Sequence, residues 1–241
     1  MTDLVALRAA NANRWAHAKL TRAAEFTPIA QRLIAAAAKE GDLAVAARSG
    51  VPWFVIAVIH QRECGQSWAG SIAQGDPFDK KSTHVPAGRG PFKSWEDAAV
   101  DALVNCAPYA ARNKDWSIGG ILTLLEQYNG LGYASRGLPS PYIWSGTDVY
   151  LAGKYVADHV FDPRAIDKQL GCAGLMLAMA AIDASVQAGK PASNVVPFIR
   201  KTAQPVIAPH PESVPARAPS ITNPAPGSLG AWIAHLFKKA A

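Results

Sequence analysis

Two runs of alanine, Ala35 to Ala38 and Ala178 to Ala181 with Met179 inserted, constrain this chain most. Alanine loses no side-chain entropy on entering a helix, so such runs favour helix. The β-branched alternation that a sandwich or barrel requires is missing. The expected architecture is therefore mainly α-helical. With 49% apolar and 17% charged residues, the 241-residue chain can bury a full core and is too apolar to stay disordered.

Residues 3 to 24 read as a helix, with Leu4, Leu7, Ala10, Trp15 and Leu20 roughly on one stripe. A second is expected over 28–39, stopped by Gly41, and a short third over 43–48, ended by Gly50. Pro52 sits where a helix takes its first residue, and the chain from Trp53 is apolar until His60-Gln61-Arg62-Glu63, with Gly65 as the stop. Over 68–92 Gly, Pro, Asp and Lys dominate, with short extended pieces at 71–73 and 83–85. This is a loop or small β-hairpin, and a loop that long in a compact domain usually carries function. Ser94, with Asp97 three residues on, opens a helix to about residue 107. Ser117 caps another through Tyr128, broken by Asn129-Gly130-Leu131-Gly132. A Pro/Ser/aromatic loop over 138–145 precedes a helix around 148–158, and Asp162-Pro163 starts a long apolar helix to about residue 188.

These elements make one domain over 1–202. Seven of the 18 prolines then fall between Pro205 and Pro226, which marks 203–226 as an extended linker. The remainder, 227–241, is a short apolar-basic helix. Trp232, Ile233, Leu236 and Phe237 gather on one face with Lys238 and Lys239 at its end, a pattern suited to an anionic membrane surface or to docking back on the domain.

The net charge of +6 suits an anionic partner. No run of five or more basic residues and no nucleic-acid motif occurs, so no nucleic-acid partner is expected. Three cysteines, Cys64, Cys106 and Cys172, are too few for a disulfide framework and sit in no metal pattern; they read as small buried hydrophobes. The start, Met1-Thr2-Asp3-Leu4, is not a signal segment, so synthesis in the cytoplasm is expected, with action on any extracellular target after release or particle delivery.

Glu63 is the last carboxylate on an apolar helix. Cleaving a glycosidic bond at mild pH needs a carboxylic acid that is still protonated, and an apolar surround favours that form. Val55, Ile56, Val58 and Ile59 supply the surround, and Gly65 leaves the helix end open. An ordinary surface carboxylate is the alternative, although the helix dipole disfavours a charged Glu there. His60 lies one turn earlier, on the same face, as a structural or substrate-side histidine rather than half of a metal pair.

The segment Ile59-His60-Gln61-Arg62-Glu63-Cys64-Gly65 resembles the helix-ending Glu segment of goose-type lysozymes and soluble lytic transglycosylases. Glu126-Gln127-Tyr128-Asn129-Gly130-Leu131-Gly132-Tyr133 resembles their Tyr-Asn motif. Two such segments in this order are more specific than either alone. The stretches Gln74-Gly75-Asp76-Pro77-Phe78, Thr83-His84-Val85-Pro86-Ala87-Gly88-Arg89, Ser140-Pro141-Tyr142-Ile143-Trp144-Ser145 and Gly153-Lys154-Tyr155-Val156-Ala157-Asp158 look like a phage and bacterial lysozyme-like family. The resemblance covers about residues 50 to 185. It implies a lysozyme-like helical domain with a small β-hairpin lobe. It further implies a muramidase that cleaves the β-1,4 bond between N-acetylmuramic acid and N-acetylglucosamine of peptidoglycan, without metal or cofactor, as a monomer. Glu63 is then the acid, as expected of a phage- or prophage-type lytic enzyme. The transglycosylase Gly-Leu-Met-Gln segment is absent after the acid, and a Gly-Asp-Pro loop stands there instead.

An inverting hydrolase needs a carboxylate base roughly 6.5–9.5 Å from the acid, with a water between. Asp76 on the far arm of the loop is the candidate, with Thr83 helping to hold the water; a turn-forming Asp before Pro77 is the structural alternative. Tyr128 and Asn129 are expected to hydrogen-bond sugar groups, with Glu126 orienting them, or else to form a helix cap. Tyr142 and Trp144 suit sugar stacking or core packing, and His84 and Arg89 suit anionic peptide stems. Two further readings stay open: a lytic transglycosylase using Glu63 alone, and a non-catalytic wall-binding or membrane-active protein.

Overall fold

The computed structural model describes residues 2–157 and 159–188. The linker expected at 203–226 and the apolar-basic helix expected at 227–241 lie outside the described residues, as do residues 189–202 of the expected domain.

The fold is mainly helical. Asp3 caps α1 (Leu4–His17), its Oδ1 accepting the backbone N–H groups of Val5 at 2.9 Å and Ala6 at 3.1 Å. Helix α2 (Ala23–Ile34) lies against α8 (Cys172–Ala180), and α3 (Ala36–Ser49) lies against α4 (Trp53–Cys64) and α5 (Trp95–Asn105). The break between α2 and α3 falls at Ala35, inside the alanine run. Every residue there favours helix, so only the different packing partners of the two helices place the break. Gly41 is a correction too: it lies within α3 instead of ending a helix. A Cβ there would come 2.6 Å from the Trp68 ring, so the cost of a helical glycine, about 1 kcal/mol, is offset by the seat it makes for that ring.

Helix α4 is the central post. Every residue from Trp53 to His60 is buried, and Gly65 closes the helix at φ 62. Ser94 caps α5, and Ser117 caps α6 (Ile118–Asn129), which packs on α1. The short α7 (Pro141–Trp144) stands where a loop was expected.

Three expectations need correcting. Residues 68–92 hold no strand: they form a tight turn bridged at Gly70 and Pro77, then a loop tied back by Phe92 N–H to the Phe78 carbonyl at 2.8 Å. The antiparallel pair lies later, β1 (Lys154–Ala157) with β2 (Val160–Asp162), where a helix was expected. Tyr155 there stacks on Tyr133 and Phe161 at 5.1 and 5.3 Å, and its N–H donates to the Tyr133 hydroxyl at 3.1 Å, contacts that an extended strand reaches. The late helix is also short, because the chain over 163–171 is drawn aside onto Arg62. Among the described residues no single helix is long and apolar enough to cross a membrane.

Gly171 ends that segment against α7, where a Cβ would lie 2.4 Å from the Ile143 carbonyl oxygen. Gly171→Ala is expected to destabilise the fold by about 1–3 kcal/mol, because the blocking atom is backbone. Urea unfolding would show this as a lower midpoint at unchanged slope; an unchanged midpoint would mean that α7 gives way freely.

Candidate active site

Glu63 ends α4 and is 6% exposed. The Tyr142 hydroxyl, from α7, donates to its Oε1 at 3.0 Å. Tyr128, from the end of α6, donates its hydroxyl to the Ile72 carbonyl at 2.8 Å and so joins α6 to the turn that follows α4. Burial, and after it the Glu63 charge, pushes both phenols well above their ordinary range. Burial and the same charge push the Cys64 thiol up to about 12. Three separate elements thus converge on one carboxyl.

The turn reaches Glu63 through Gly75. It sits at φ 76, and a Cβ there would be 3.2 Å from the Glu63 carbonyl oxygen, so both its conformation and its closeness suit glycine. The next residue, Asp76, gathers the loop beyond it. Its Oδ2 accepts Thr83 N–H at 2.7 Å, His84 N–H at 2.9 Å and the Thr83 hydroxyl at 3.4 Å; its Oδ1 meets His84 Nδ1 at 2.5 Å. Burial works to raise the Asp76 pKa, but the donors from His84 and Thr83 outweigh it and hold the carboxyl below its usual range. Asp76 is therefore an ionised loop anchor, with Thr83 and His84 as its partners.

Burial and their partners place the other expected residues. His60 is fully buried, 4.8 Å from Trp68 and 4.5 Å from Trp95, with Nε2–H donating to the Ser67 carbonyl at 3.1 Å. Burial brings its pKa down to about 4 against the opposing Ser67 bond, so it is a neutral packing group. Trp144 is also fully enclosed, which suits core packing and leaves no face for a pyranose. Tyr142 is 4% exposed and spends its hydroxyl on the acid, so it orients Glu63 instead of stacking on sugar. Arg89 is committed to Asp101 through Nε at 2.8 Å and through Nη2, which takes it away from peptide stems. Asn129 is buried at the end of α6 beside Tyr128, where Gly130 is the C-cap.

Glu126 points away from Tyr128, toward α1. Burial raises it to about 8, with the Arg14 charge opposing, and Asp42 on α3 is raised to about 8 by burial alone. Each keeps a proton in the folded state between the ordinary carboxyl range and about 8, where the unfolded chain has lost it. Folding therefore takes up protons, and stability falls as pH rises toward 8. His60, with its folded pKa of about 4 below the ordinary 6.5, opposes this only below pH 6.5. The melting temperature is expected to drop between pH 6.5 and 8, and Glu126→Gln should lessen the drop. A flat profile in the wild type across that interval would contradict it.

Sequence reasoning missed an ionic group beside Glu63, the buried Arg62 and Asp167 with the half-buried Lys154. Its one visible trace is an arginine in the polar last turn of an apolar helix. Among the described residues no group of three or more His, Cys, Asp or Glu side chains suits a metal ion. Comparison with protein families, with curated proteins and with solved structures gives no match for this chain.

Proposed function

We propose that this chain is a lysozyme-like glycosidase that cleaves the β-1,4 bond between N-acetylmuramic acid and N-acetylglucosamine in peptidoglycan. One observation carries the reading: a carboxyl at the end of a buried apolar helix accepts a hydrogen bond from a buried phenol. The helix is followed by a turn that rests on the same residue's carbonyl and bears an ionised aspartate. In this reading Glu63 protonates the leaving oxygen. The Tyr142 bond occupies Oε1 and so directs the transferable proton to Oε2. Asp76 draws a proton from water, with Thr83 and His84 fixing its direction. Tyr128 is 1% exposed and gives its hydroxyl to the Ile72 carbonyl, so in this reading it braces the turn behind the acid in place of touching sugar. The muramidase acts on the wall after release from the cell or delivery in a particle, as in phage-type lysis.

A second reading is favoured by the Asp76 contacts themselves. Four donors already occupy its two oxygens, which leaves it poorly placed to take a proton from water. Glu63 then acts alone as a lytic transglycosylase. Purified protein added to permeabilised Gram-negative cells tests the class: clearing of the suspension supports a glycosidase, whereas binding without clearing identifies a non-catalytic wall protein.

A further inference from the structure

Arg62 directly precedes the acid and is 6% exposed, a burial that charged side chains reach when paired. Both terminal amino groups of its guanidinium are engaged. Nη1 donates to the Gln169 and Leu170 carbonyls at 3.1 and 3.2 Å, and Nη2 to Asp167 Oδ2 at 3.1 Å. The group lies 4.8 Å from the centre of the Tyr142 ring. Asp167, 5% exposed, also accepts Lys154 Nζ at 3.0 Å, and its backbone carbonyl accepts the Ser145 hydroxyl at 2.7 Å. Ser145 follows α7 directly, so the same group holds α7 by its end and Tyr142 by its ring.

We propose that Arg62, fixed by Asp167, is a positioning residue for the acid: it sets the Tyr142 ring so that the phenol hydroxyl holds Glu63 Oε1 in place. The path runs Asp167, Arg62, Tyr142, Glu63, and every link is a contact in the structure. A cation over the ring also draws density from the phenol and strengthens its O–H as a donor. Lysine cannot substitute, because it lacks both the planar face and the fork that spans Asp167 and two carbonyls. This role rests on the glycosidase reading of Glu63.

The test is a double-mutant cycle on the full chain: wild type, Arg62→Lys, Tyr142→Phe and the double variant, each checked by circular dichroism. For muropeptide release, Arg62→Lys should lower kcat about ten- to a hundred-fold with KM within about twofold, and Tyr142→Phe should act similarly. The double variant should be no slower than Tyr142→Phe alone, because Arg62 acts through the phenol. Losses that multiply in the double variant overturn the proposal, since a merely structural arginine would give them. The four proteins are also titrated by NMR with carbon-13-labelled glutamate, following the Glu63 carboxyl. Removing a bond donated to the carboxylate should move the midpoint upward in each single variant, and no further in the double. A wild type that releases no muropeptides refutes the glycosidase reading, while the titration still decides on Arg62. No movement in Arg62→Lys overturns the positioning role. Should Arg62→Lys fail to fold, Asp167→Glu replaces it in the cycle, with the same expectation.

Discussion

Glu63→Gln is expected to fold normally and to lose nearly all activity. The amide keeps the shape and still accepts from Tyr142 through its oxygen, but it has no acidic proton to give to the leaving group. General acid catalysis is worth ~10²–10⁴-fold, and the loss should appear in kcat, because the substrate contacts remain. Burial of the site makes the folding control necessary: circular dichroism and the urea midpoint should match the wild type. A folded Glu63→Gln protein that keeps more than about a tenth of wild-type turnover would falsify the assignment of the acid.

Asp76→Asn is expected to cost at least ~10²-fold with Glu63 intact. Two effects add here. The base is lost, and the amide N–H₂ now faces the Thr83 and His84 donors that the carboxylate satisfied, so the loop after Pro77 loosens. Product chemistry separates them. If Asp76 activates water, wild-type digestion gives reducing N-acetylmuramic acid ends. If Glu63 alone takes the proton from the sugar's own 6-hydroxyl, the ends are 1,6-anhydro and lighter by one water. Mass spectrometry of the soluble muropeptides reads the difference directly. Reducing ends together with a slow Asp76→Asn variant identify a hydrolase; anhydro ends assign the loss in the variant to the loop.

The parts of the fold that were legible in the sequence are those set by local chemistry. Ser94 and Ser117 cap helices because their hydroxyls reach the N–H groups three residues on, and Gly65 ends α4 because the left-handed turn suits glycine. Glu63 could be singled out for the same reason: an acid at the end of an apolar run is a local pattern. What was not legible is set by distant contacts. Nothing near Ala35 distinguishes it from Ala36, and the break between α2 and α3 follows from what each helix packs on. The late segment looked helical, yet Asp167 is pulled out of line by an arginine 105 residues earlier. Gly41 carried a stop signal that the Trp68 ring overrides. Tyr142 was read for its ring, and only the fold shows that its hydroxyl holds the acid.

Helix α4 has a consequence for how such a molecule tolerates change. It is enclosed on all sides from Trp53 to His60, and the carboxyl that ends it is aimed by the same packing. A methyl group removed from Val55 or Ile59 shifts the post and therefore the Glu63 carboxyl, so on the proposed glycosidase reading interior volume is also a determinant of rate. On that reading, activity and interior packing are tuned on one element. A search for heat-resistant variants through this core would shift the proposed acid at every step, whereas drift in the exposed α1 face, such as at Val5, is free of that coupling.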